Sequence, residues 1–171
     1  MAKTAESRLQ VLEDRAAIRE LQATYCFLVD DGRFDELVDS CFAEDARCDF
    51  RIMASGLDPL LAEGHQEIRA FFVDTIAGLL RDMSHTVHNQ RIAIEGDRAS
   101  AESYFELTAI DATSGEAVLG GGRYIDCYRR LGGAWRFQER RAEIHHLSPL
   151  REGWDRQRFL RVLMAAASAN D

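Results

Sequence analysis

The spacing of hydrophobic residues predicts three helices in the first half of the chain. The first is expected over residues 6–30, and Gly32 follows it with the freedom to take the left-handed conformation that ends many helices. Its apolar face, repeated at the helical period of 3.6 residues, carries Ile18, Leu21, Tyr25, Leu28 and Val29. The same period predicts a short second helix around residues 34–41 and a third helix over about 64–81.

Beyond the third helix the hydrophobic pattern changes to the alternation that is typical of β-strands. Four strands joined by short turns rich in Gly and Asp are predicted, and strands connected so closely run antiparallel. They cover residues 86–95, 98–110, 117–131 and 134–147, and an earlier strand is predicted at 48–53. Three consecutive glycines, Gly120, Gly121 and Gly122, fall inside the third of the four strands and indicate a sharp bend or a close backbone approach.

Helices followed by an antiparallel meander are typical of the α+β class. We expect the sheet to curve strongly into a half-open cone, with the N-terminal helices covering its concave face and enclosing a cavity. The whole chain, residues 1–171, is interpreted as one domain with a core over about 10–148. A C-terminal helix is predicted over about 153–168, packed outside the cone or on a neighbouring subunit.

Length, composition and charge limit the kinds of molecule with which the protein is expected to interact. A chain of 171 residues that is 46% hydrophobic and 29% charged has the ordinary composition of a globular domain. The net charge of −8 argues against a nucleic-acid partner, which requires a cluster of basic residues. The N-terminus does not resemble a secretory signal, and no apolar stretch approaches the roughly 20 residues of a membrane helix. We therefore predict a cytoplasmic protein with no nucleic-acid or membrane partner.

The cysteines favour a structural interpretation over a reactive one. Cys26, Cys41, Cys48 and Cys127 show no CxxC spacing and lie in apolar contexts. A chain of this size without a secretory signal rarely contains disulfides. We therefore predict reduced thiols in the core.

The segment MSHTVHNQ, residues 83–90, contains two histidines near the start of the first meander strand. In strict alternation His85 and Asn89 share one face of the strand, and His88 points to the other face. The two histidines are therefore poorly placed to hold a metal ion together, and the chain contains no HxH or HExxH motif. His145 and His146 are interpreted only as an adjacent pair. Spacing allows at most one of His85 and His88 to face the cavity.

Two polar residues of the first helix are candidates for chemistry. Tyr25 lies on the apolar face, so its ring points inward. The alternative to a functional role is that Tyr25 is only an aromatic residue of the core. Asp30 ends the helix, where the helix dipole disfavours a negative charge, although DDG is also ordinary turn sequence. An inward histidine beside Asp30 would form an acid/base dyad, because the carboxylate orients the imidazole and stabilises its protonated form.

The chain resembles the SnoaL-like branch of the nuclear transport factor two-like superfamily over about residues 10–148. Four segments carry the resemblance: DRAAIRELQATYCFLVDDGRFDELVDSCFAEDA, GHQEIRAFF, MSHTVHNQRIAIEGDRASAESYF and GGRYIDCYRRLGGAWRFQER. It implies the α+β cone and a homo-oligomer, either a dimer or a trimer. It is strongest toward scytalone dehydratase, bile-acid 7α-dehydratase and hexachlorocyclohexane dehydrochlorinase. In these relatives an Asp–His dyad removes a proton as a leaving group departs, without a metal or an organic cofactor.

The resemblance assigns roles to individual residues. It places Tyr25 and Asp30 on the tyrosine and aspartate of the dehydratase motif, and it places the general base on His85, with His88 as the fallback. Asn89 is an additional candidate for contact with the substrate. Two positions depart from the pattern, since Leu107 stands near an acid of the bile-acid enzyme and Asp49 stands near the second tyrosine of the dehydratases.

The resemblance therefore implies a cofactor-independent, dehydratase-like lyase that uses acid/base chemistry on a small hydrophobic cyclic molecule. The superfamily also includes isomerases and polyketide cyclases, so the same dyad is compatible with those reactions. A further alternative is a non-catalytic protein that binds a ligand or acts as a subunit, as the small subunits of ring-hydroxylating dioxygenases do.

Overall fold

The three helical segments that the periodicity predicts in the first half of the chain are present. Helix α1 spans Ala5–Asp30 and α2 spans Phe34–Cys41. The third predicted helix is a composite of α3, a π-helical turn and α4, which cover Gly64–Ala70, Phe71–Ile76 and Ala77–Leu79. In the π-helical turn the hydrogen bonds reach back five residues instead of four, for example from the N–H of Ala77 to the carbonyl of Phe72.

The computed structural model describes residues 4–53 and 56–152. Six strands form one curved, unclosed sheet in the order β2–β1–β6–β5–β4–β3. Their bounds are Phe42–Ile52 for β1, Leu60–Glu63 for β2, Leu80–Glu95 for β3, Arg98–Asp111 for β4, Ala117–Leu131 for β5 and Ala134–Pro149 for β6. The C-terminal helix predicted over 153–168 lies outside the described residues.

The antiparallel meander β3–β6 is confirmed, but the rest of the sheet differs from the prediction. Strand β1 is longer than the predicted segment 48–53, and it pairs in parallel with β6. Strand β2, which pairs antiparallel with β1, is not predicted at all. The pairing of β1 with β6 joins segments far apart along the chain and leaves no local sequence pattern, and β2 is only 4 residues long. Strand β3 also begins earlier than predicted, at Leu80, because the two leucines at 79–80 suit either a helix end or a strand.

The core lies between the helices and the concave face of the sheet. All five residues of the predicted apolar face of α1 are buried, and they pack on aromatic residues of the inner sheet face. Among these, Tyr25 makes edge-to-face contacts with the rings of Phe42, Phe72, Tyr124 and Phe137, with centroids 5.7–6.3 Å apart. Aromatic pairs favour this geometry, so the ring of Tyr25 is held on all sides.

A buried ion pair links the strands behind this aromatic cluster. Arg140 and Asp126 are both fully buried, and two 3.0 Å hydrogen bonds join the guanidinium to the carboxylate. The hydroxyl of Tyr128 donates to the same carboxylate at 2.9 Å, and the amide of Gln22 lies within 2.7 Å of that hydroxyl and 3.3 Å of the carboxylate. The network therefore fastens α1 to β5 and β6.

The three consecutive glycines of β5 accommodate a close backbone approach, as predicted. A Cβ atom on Gly122 would lie 2.0 Å from the carbonyl oxygen of Glu143 on β6. The pairing of β5 with β6 also changes register between Gly121 and Gly122. The strand therefore bends at the point where a side chain has no room.

Three of the four cysteines follow the prediction. Cys26, Cys41 and Cys48 are buried and free, whereas Cys127 is free but exposed, which corrects the prediction that all four lie in the core. Cys127 follows the buried Asp126 along β5, so alternation turns its side chain outward. Within the described part of the chain, no helix combines the length and the hydrophobicity needed to cross a membrane.

We expect Gly122→Ala to destabilise the fold by about 3 kcal/mol, because the added methyl group overlaps the backbone of β6. The matched control is Gly78→Ala, whose methyl group meets no atom within 4 Å. That change replaces an exposed helical glycine and should stabilise the protein by about 0.5–1 kcal/mol. The free energy of unfolding, measured in urea, distinguishes the two. Equal effects of the two variants would contradict the close approach.

We expect one of the four thiols to react quickly with Ellman's reagent in the native protein. Burial raises the pKa of Cys26 to about 11 and that of Cys48 to about 12, so neither forms the reactive thiolate at neutral pH. Cys127 is exposed and should account for the fast phase. Cys127→Ser should remove that phase, and a second fast thiol in this variant would contradict the burial of the others.

Candidate active site

A largely apolar cavity of about 110 Å³ lies between the helices and the concave face of the sheet. The π-helical turn contributes much of its wall, because the wider turn brings Phe71, Phe72, Thr75 and Ile76 to the same side. Polar groups are few among the lining residues: Tyr25, Thr75, His85, Tyr124 and His146. A cavity that is mostly apolar, with a few polar groups converging on it, is the usual form of a small-molecule site.

Asp30 is held at the end of α1 by a tight helix terminus. The N–H of Asp31 donates to the carbonyl of Phe27 at 2.9 Å, and the N–H of Arg33 donates to that of Leu28 at 2.8 Å. Gly32 has a φ of 68°, the left-handed conformation that the sequence predicts at this position. The chain therefore turns away sharply, and the carboxylate of Asp30 is left facing β3.

His85 lies on β3 between two irregularities of that strand. The pairing with β4 changes register between Arg81 and Ser84 and again between His88 and Arg91. Each irregularity contains a non-glycine residue with positive φ, Asp82 at 50° and Asn89 at 53°. Bulges of this kind bend a strand and redirect its side chains. Here they turn the strand so that the imidazole of His85 faces the end of α1.

Asp30 and His85 are in direct contact. The Nδ1 atom of His85 is hydrogen-bonded to Oδ1 of Asp30, and the backbone N–H of His85 donates to Oδ2 of Asp30 at 2.9 Å. The side chain of His85 is only 8% exposed, and that of Asp30 is 16% exposed. A carboxylate bound at Nδ1 favours the tautomer with its proton on that nitrogen, which leaves Nε2 as the acceptor. His85 also lines the cavity, so the side of the ring that does not contact Asp30 is available to a molecule bound there.

Tyr25 lies on the same cavity but deeper in the core. Its side chain is 2% exposed, and the guanidinium of Arg140 lies 4.0 Å from its ring centroid. Burial raises the pKa of Tyr25 above its ordinary value, and the positive charge of Arg140 opposes this only in part. The hydroxyl therefore stays protonated and can donate a hydrogen bond.

The two other predicted site residues lie elsewhere. His88 points away from the cavity and stacks on Tyr104, with ring centroids 6.0 Å apart on the outer face of the sheet. Asn89 is exposed in the second irregularity of β3 and does not line the cavity, so the assignment of substrate contact to Asn89 needs correction. Strict alternation placed Asn89 beside His85, but the bulge shifts the alternation by one residue. Gln90 takes the inward position and donates to the amide of Gln22.

One of the two positions that depart from the pattern implied by the resemblance lies in the cavity wall. Leu107 lines that wall directly opposite His85 in the ladder between β3 and β4. The neighbouring Glu106 is exposed on the other face. Asp49 is buried but binds Arg51 at 2.7 Å. The part of the chain described, 4–53 and 56–152, holds no group of three side chains suited to bind a metal ion.

Sequence reasoning missed several residues of the cavity wall. His146, which was interpreted only as half of an adjacent pair, lines the cavity, as does Thr75. Strict alternation along β6 would place His146 on the same face as Ala142 and Ile144, but the register change between Gly121 and Gly122 reverses it, since His146 pairs with Gly121 and Gly121 also pairs with the outward Glu106. Thr75 carried no sequence signal, since its inward position depends on the π-helical turn.

The sequence also matches a model of a known protein family. The SnoaL-like domain matches residues 10–141 of the chain. The chain belongs to the SnoaL-like domain family. The predicted resemblance and the nuclear transport factor two-like fold are thereby confirmed. No protein of curated function matches this SnoaL-like chain.

Solved structures that are similar to this SnoaL-like protein are named as different kinds of protein. Hexachlorocyclohexane dehydrochlorinase LinA-type3 from Novosphingobium barchaimii LL02 aligns with a TM-score of 0.72 and 20% identity, over 84% of this chain and 94% of that chain. A protein of Novosphingobium aromaticivorans, provisionally named an aromatic ring hydroxylase, is 32% identical, with a TM-score of 0.68 and coverage of 81% and 94%. The beta subunit of a provisionally named aromatic-ring-hydroxylating dioxygenase from the same species is 21% identical, with a TM-score of 0.64 and coverage of 78% and 90%.

We expect neutral His85 to carry its proton on Nδ1, because Asp30 accepts it there. Long-range proton–nitrogen NMR correlations of the imidazole report the tautomer directly. Asp30→Asn should shift His85 toward a mixture of tautomers, since an amide binds either form. Asp31→Asn, which changes the adjacent exposed acid, should leave the spectrum of His85 as it is. An Nε2–H tautomer in the unmodified protein would contradict this arrangement.

Proposed function

We propose that this SnoaL-like protein is a cofactor-independent lyase of the dehydratase type that acts on a small hydrophobic cyclic molecule. The observation that carries the proposal is the contact between Asp30 and His85 at the wall of an apolar cavity. His85 is the general base, Asp30 orients it, and Tyr25 donates a hydrogen bond to the substrate.

The proposed role of His85 follows from its surroundings. With Nδ1 bound to Asp30, Nε2 is the nitrogen that can take a proton from a substrate in the cavity. The negative charge of Asp30 then stabilises the imidazolium that forms. Because both side chains are mostly buried, water screens this attraction poorly. Proton transfer by a positioned base contributes about 10²- to 10⁴-fold to a rate.

The proposed reaction is the elimination of water from a cyclic β-hydroxy ketone. Nε2 of His85 removes a proton from the carbon between the carbonyl and the hydroxyl-bearing carbon. The electron pair of that C–H bond forms the C=C bond as the C–O bond breaks. The proton held by His85 passes to the departing hydroxyl group, which leaves as water. The hydroxyl of Tyr25 donates a hydrogen bond to the carbonyl oxygen and stabilises the negative charge that develops there. A donor in a buried site stabilises such a charge more strongly than a donor in water.

The cavity limits the size and polarity of the substrate. Apart from Tyr25, His85 and three other polar side chains, its walls are aliphatic or aromatic. An apolar cavity of this order of size accommodates one six-membered ring. Halogenated rings are suitable as well, because a halide can depart in place of the hydroxyl group.

The same dyad supports an isomerase or a cyclase, and exchange of the substrate proton separates the reactions. In deuterium oxide an isomerase returns deuterium to carbon without loss of the leaving group, whereas the lyase releases an enone. A ligand-binding or subunit role is the second candidate function, favoured by the likeness in fold to a dioxygenase beta subunit. The dimer or trimer stays a prediction in either case.

We expect His85→Ala to lower kcat/KM for the dehydration of 3-hydroxycyclohexanone by about 10²- to 10⁴-fold. The product, cyclohexenone, is measured by its ultraviolet absorption. His88→Ala is the matched control, because His88 lies on the same strand but points to the outer face. Tyr25→Phe should lower the rate by about 10²-fold, the effect of removing one donor to a developing oxyanion. An unchanged catalysed rate in His85→Ala would contradict the role of His85 as the base, and no rate above the uncatalysed one in the unmodified protein would favour the subunit role.

A further inference from the structure

The cavity wall contains a second tyrosine that the proposed reaction does not use. Tyr124 lies on β5, is 2% exposed, and lines the same space as Tyr25 and His85. It belongs to the concave face of the sheet, because its ladder partner on β4 is the buried Ser103. The cavity therefore has one tyrosine on α1 and another on the sheet.

The fold makes no use of the hydroxyl of Tyr124. On the same strand the equally buried Tyr128 donates its hydroxyl proton to Asp126 at 2.9 Å. Within residues 4–53 and 56–152, by contrast, no group forms a hydrogen bond with the hydroxyl of Tyr124. Buried hydroxyl groups are normally paired, because an unpaired one has lost its water without a replacement. An unpaired donor in a cavity wall is therefore suited to a bound molecule.

The ring of Tyr124 leans along β5 toward the half of the cavity that contains His85. Phe105 stands opposite Gly122 in the ladder, and its Cε1 would lie 3.0 Å from a Cβ atom on that glycine, so its ring covers Gly122. The ring of Tyr124 stacks on that of Phe105, with centroids 4.3 Å apart and planes at 21°. The ladder row of His85 reaches β5 at Gly120, so Gly122 lies between that row and Tyr124.

Tyr25 and Tyr124 share one neighbouring positive charge. Their ring centroids are 6.3 Å apart, and the guanidinium of Arg140 lies 4.0 Å from each of them. Asp126 holds that guanidinium through two hydrogen bonds of 3.0 Å. Burial raises the pKa of Tyr124 well above its ordinary value, the nearby Tyr25 raises it further, and Arg140 opposes both effects only in part. Both hydroxyls therefore stay protonated and able to donate.

We propose that Tyr124 is a second donor to the carbonyl oxygen of the substrate, so that Tyr25 and Tyr124 bind that oxygen together. This inference rests on the proposed function, and it narrows the substrate to a cyclic ketone in preference to a halogenated ring without oxygen. A carbonyl oxygen has two lone pairs and accepts one hydrogen bond on each. Both donors stabilise the negative charge that develops there as His85 removes the proton. A ring without oxygen leaves both hydroxyls unpaired.

The first test compares the binding of cyclohexanone with that of methylenecyclohexane, which has the same shape but a CH₂ group in place of the carbonyl oxygen. Neither ligand carries a leaving group, so both are stable in the presence of the unmodified protein, and dissociation constants are measured by ligand-observed NMR. We expect Tyr124→Phe to weaken the binding of cyclohexanone about tenfold, the worth of one buried hydrogen bond, and to change that of methylenecyclohexane less than about twofold.

The second test measures the ¹³C chemical shift of bound cyclohexanone labelled at the carbonyl carbon. Hydrogen bonds to the oxygen move this signal downfield, so the shift reports donors at the oxygen and not packing around the ring. We expect Tyr25→Phe and Tyr124→Phe each to move the signal upfield. Tyr104→Phe is the matched control, because Tyr104 lies on the neighbouring strand β4 but is 45% exposed. It should leave both affinities and the shift unchanged.

Three results would overturn the inference. An equal loss of affinity for both ligands in Tyr124→Phe would reduce Tyr124 to a packing role. A carbonyl shift that responds to Tyr25→Phe alone would leave Tyr25 as the sole donor. Failure of cyclohexanone to bind to the unmodified protein would remove the oxygen site altogether. Failure of the proposed lyase activity would appear separately, in the absorption assay, because the binding tests involve no elimination.

Discussion

The buried pair of Arg140 and Asp126 is the constraint on which the rest of the interior depends. A guanidinium removed from water is tolerated only with a matching carboxylate, and loss of either partner of such a pair costs about 3–5 kcal/mol. Here the guanidinium also lies 4.0–4.1 Å from the ring centroids of Tyr25, Tyr124 and Phe137. These contacts hold the floor of the cavity in place.

The functional geometry arises where regular structure is interrupted. The bulges around Asp82 and Asn89 direct His85 toward Asp30. The π-helical turn brings four of its side chains to one wall. A regular strand or helix would send at least part of these groups to the outer face, where they would meet solvent. The irregular positions of the strands and helices therefore place functional groups that regular elements would not.

Sequence reasoning succeeded for residues whose position follows from a local period. The apolar face of α1 predicted the inward position of Tyr25, and DDG predicted the helix end at Asp30. It failed for Asn89, because one bulge reverses the alternation of a strand. It also failed for Asp126 and Arg140, since charged side chains within strands are normally solvated and nothing in the local pattern shows that these two are buried together.

The sequence by itself determined the helices, the antiparallel meander and the family, since hydrophobic periods and turn residues are local properties. Only the tertiary structure decided which polar residues meet. The contact between Asp30 and His85 joins residues 55 positions apart, and the contact between Gln22 and Tyr128 joins residues 106 positions apart. Such contacts depend on the curvature and register of the sheet, which result from the packing of the whole chain and leave no trace in any one segment.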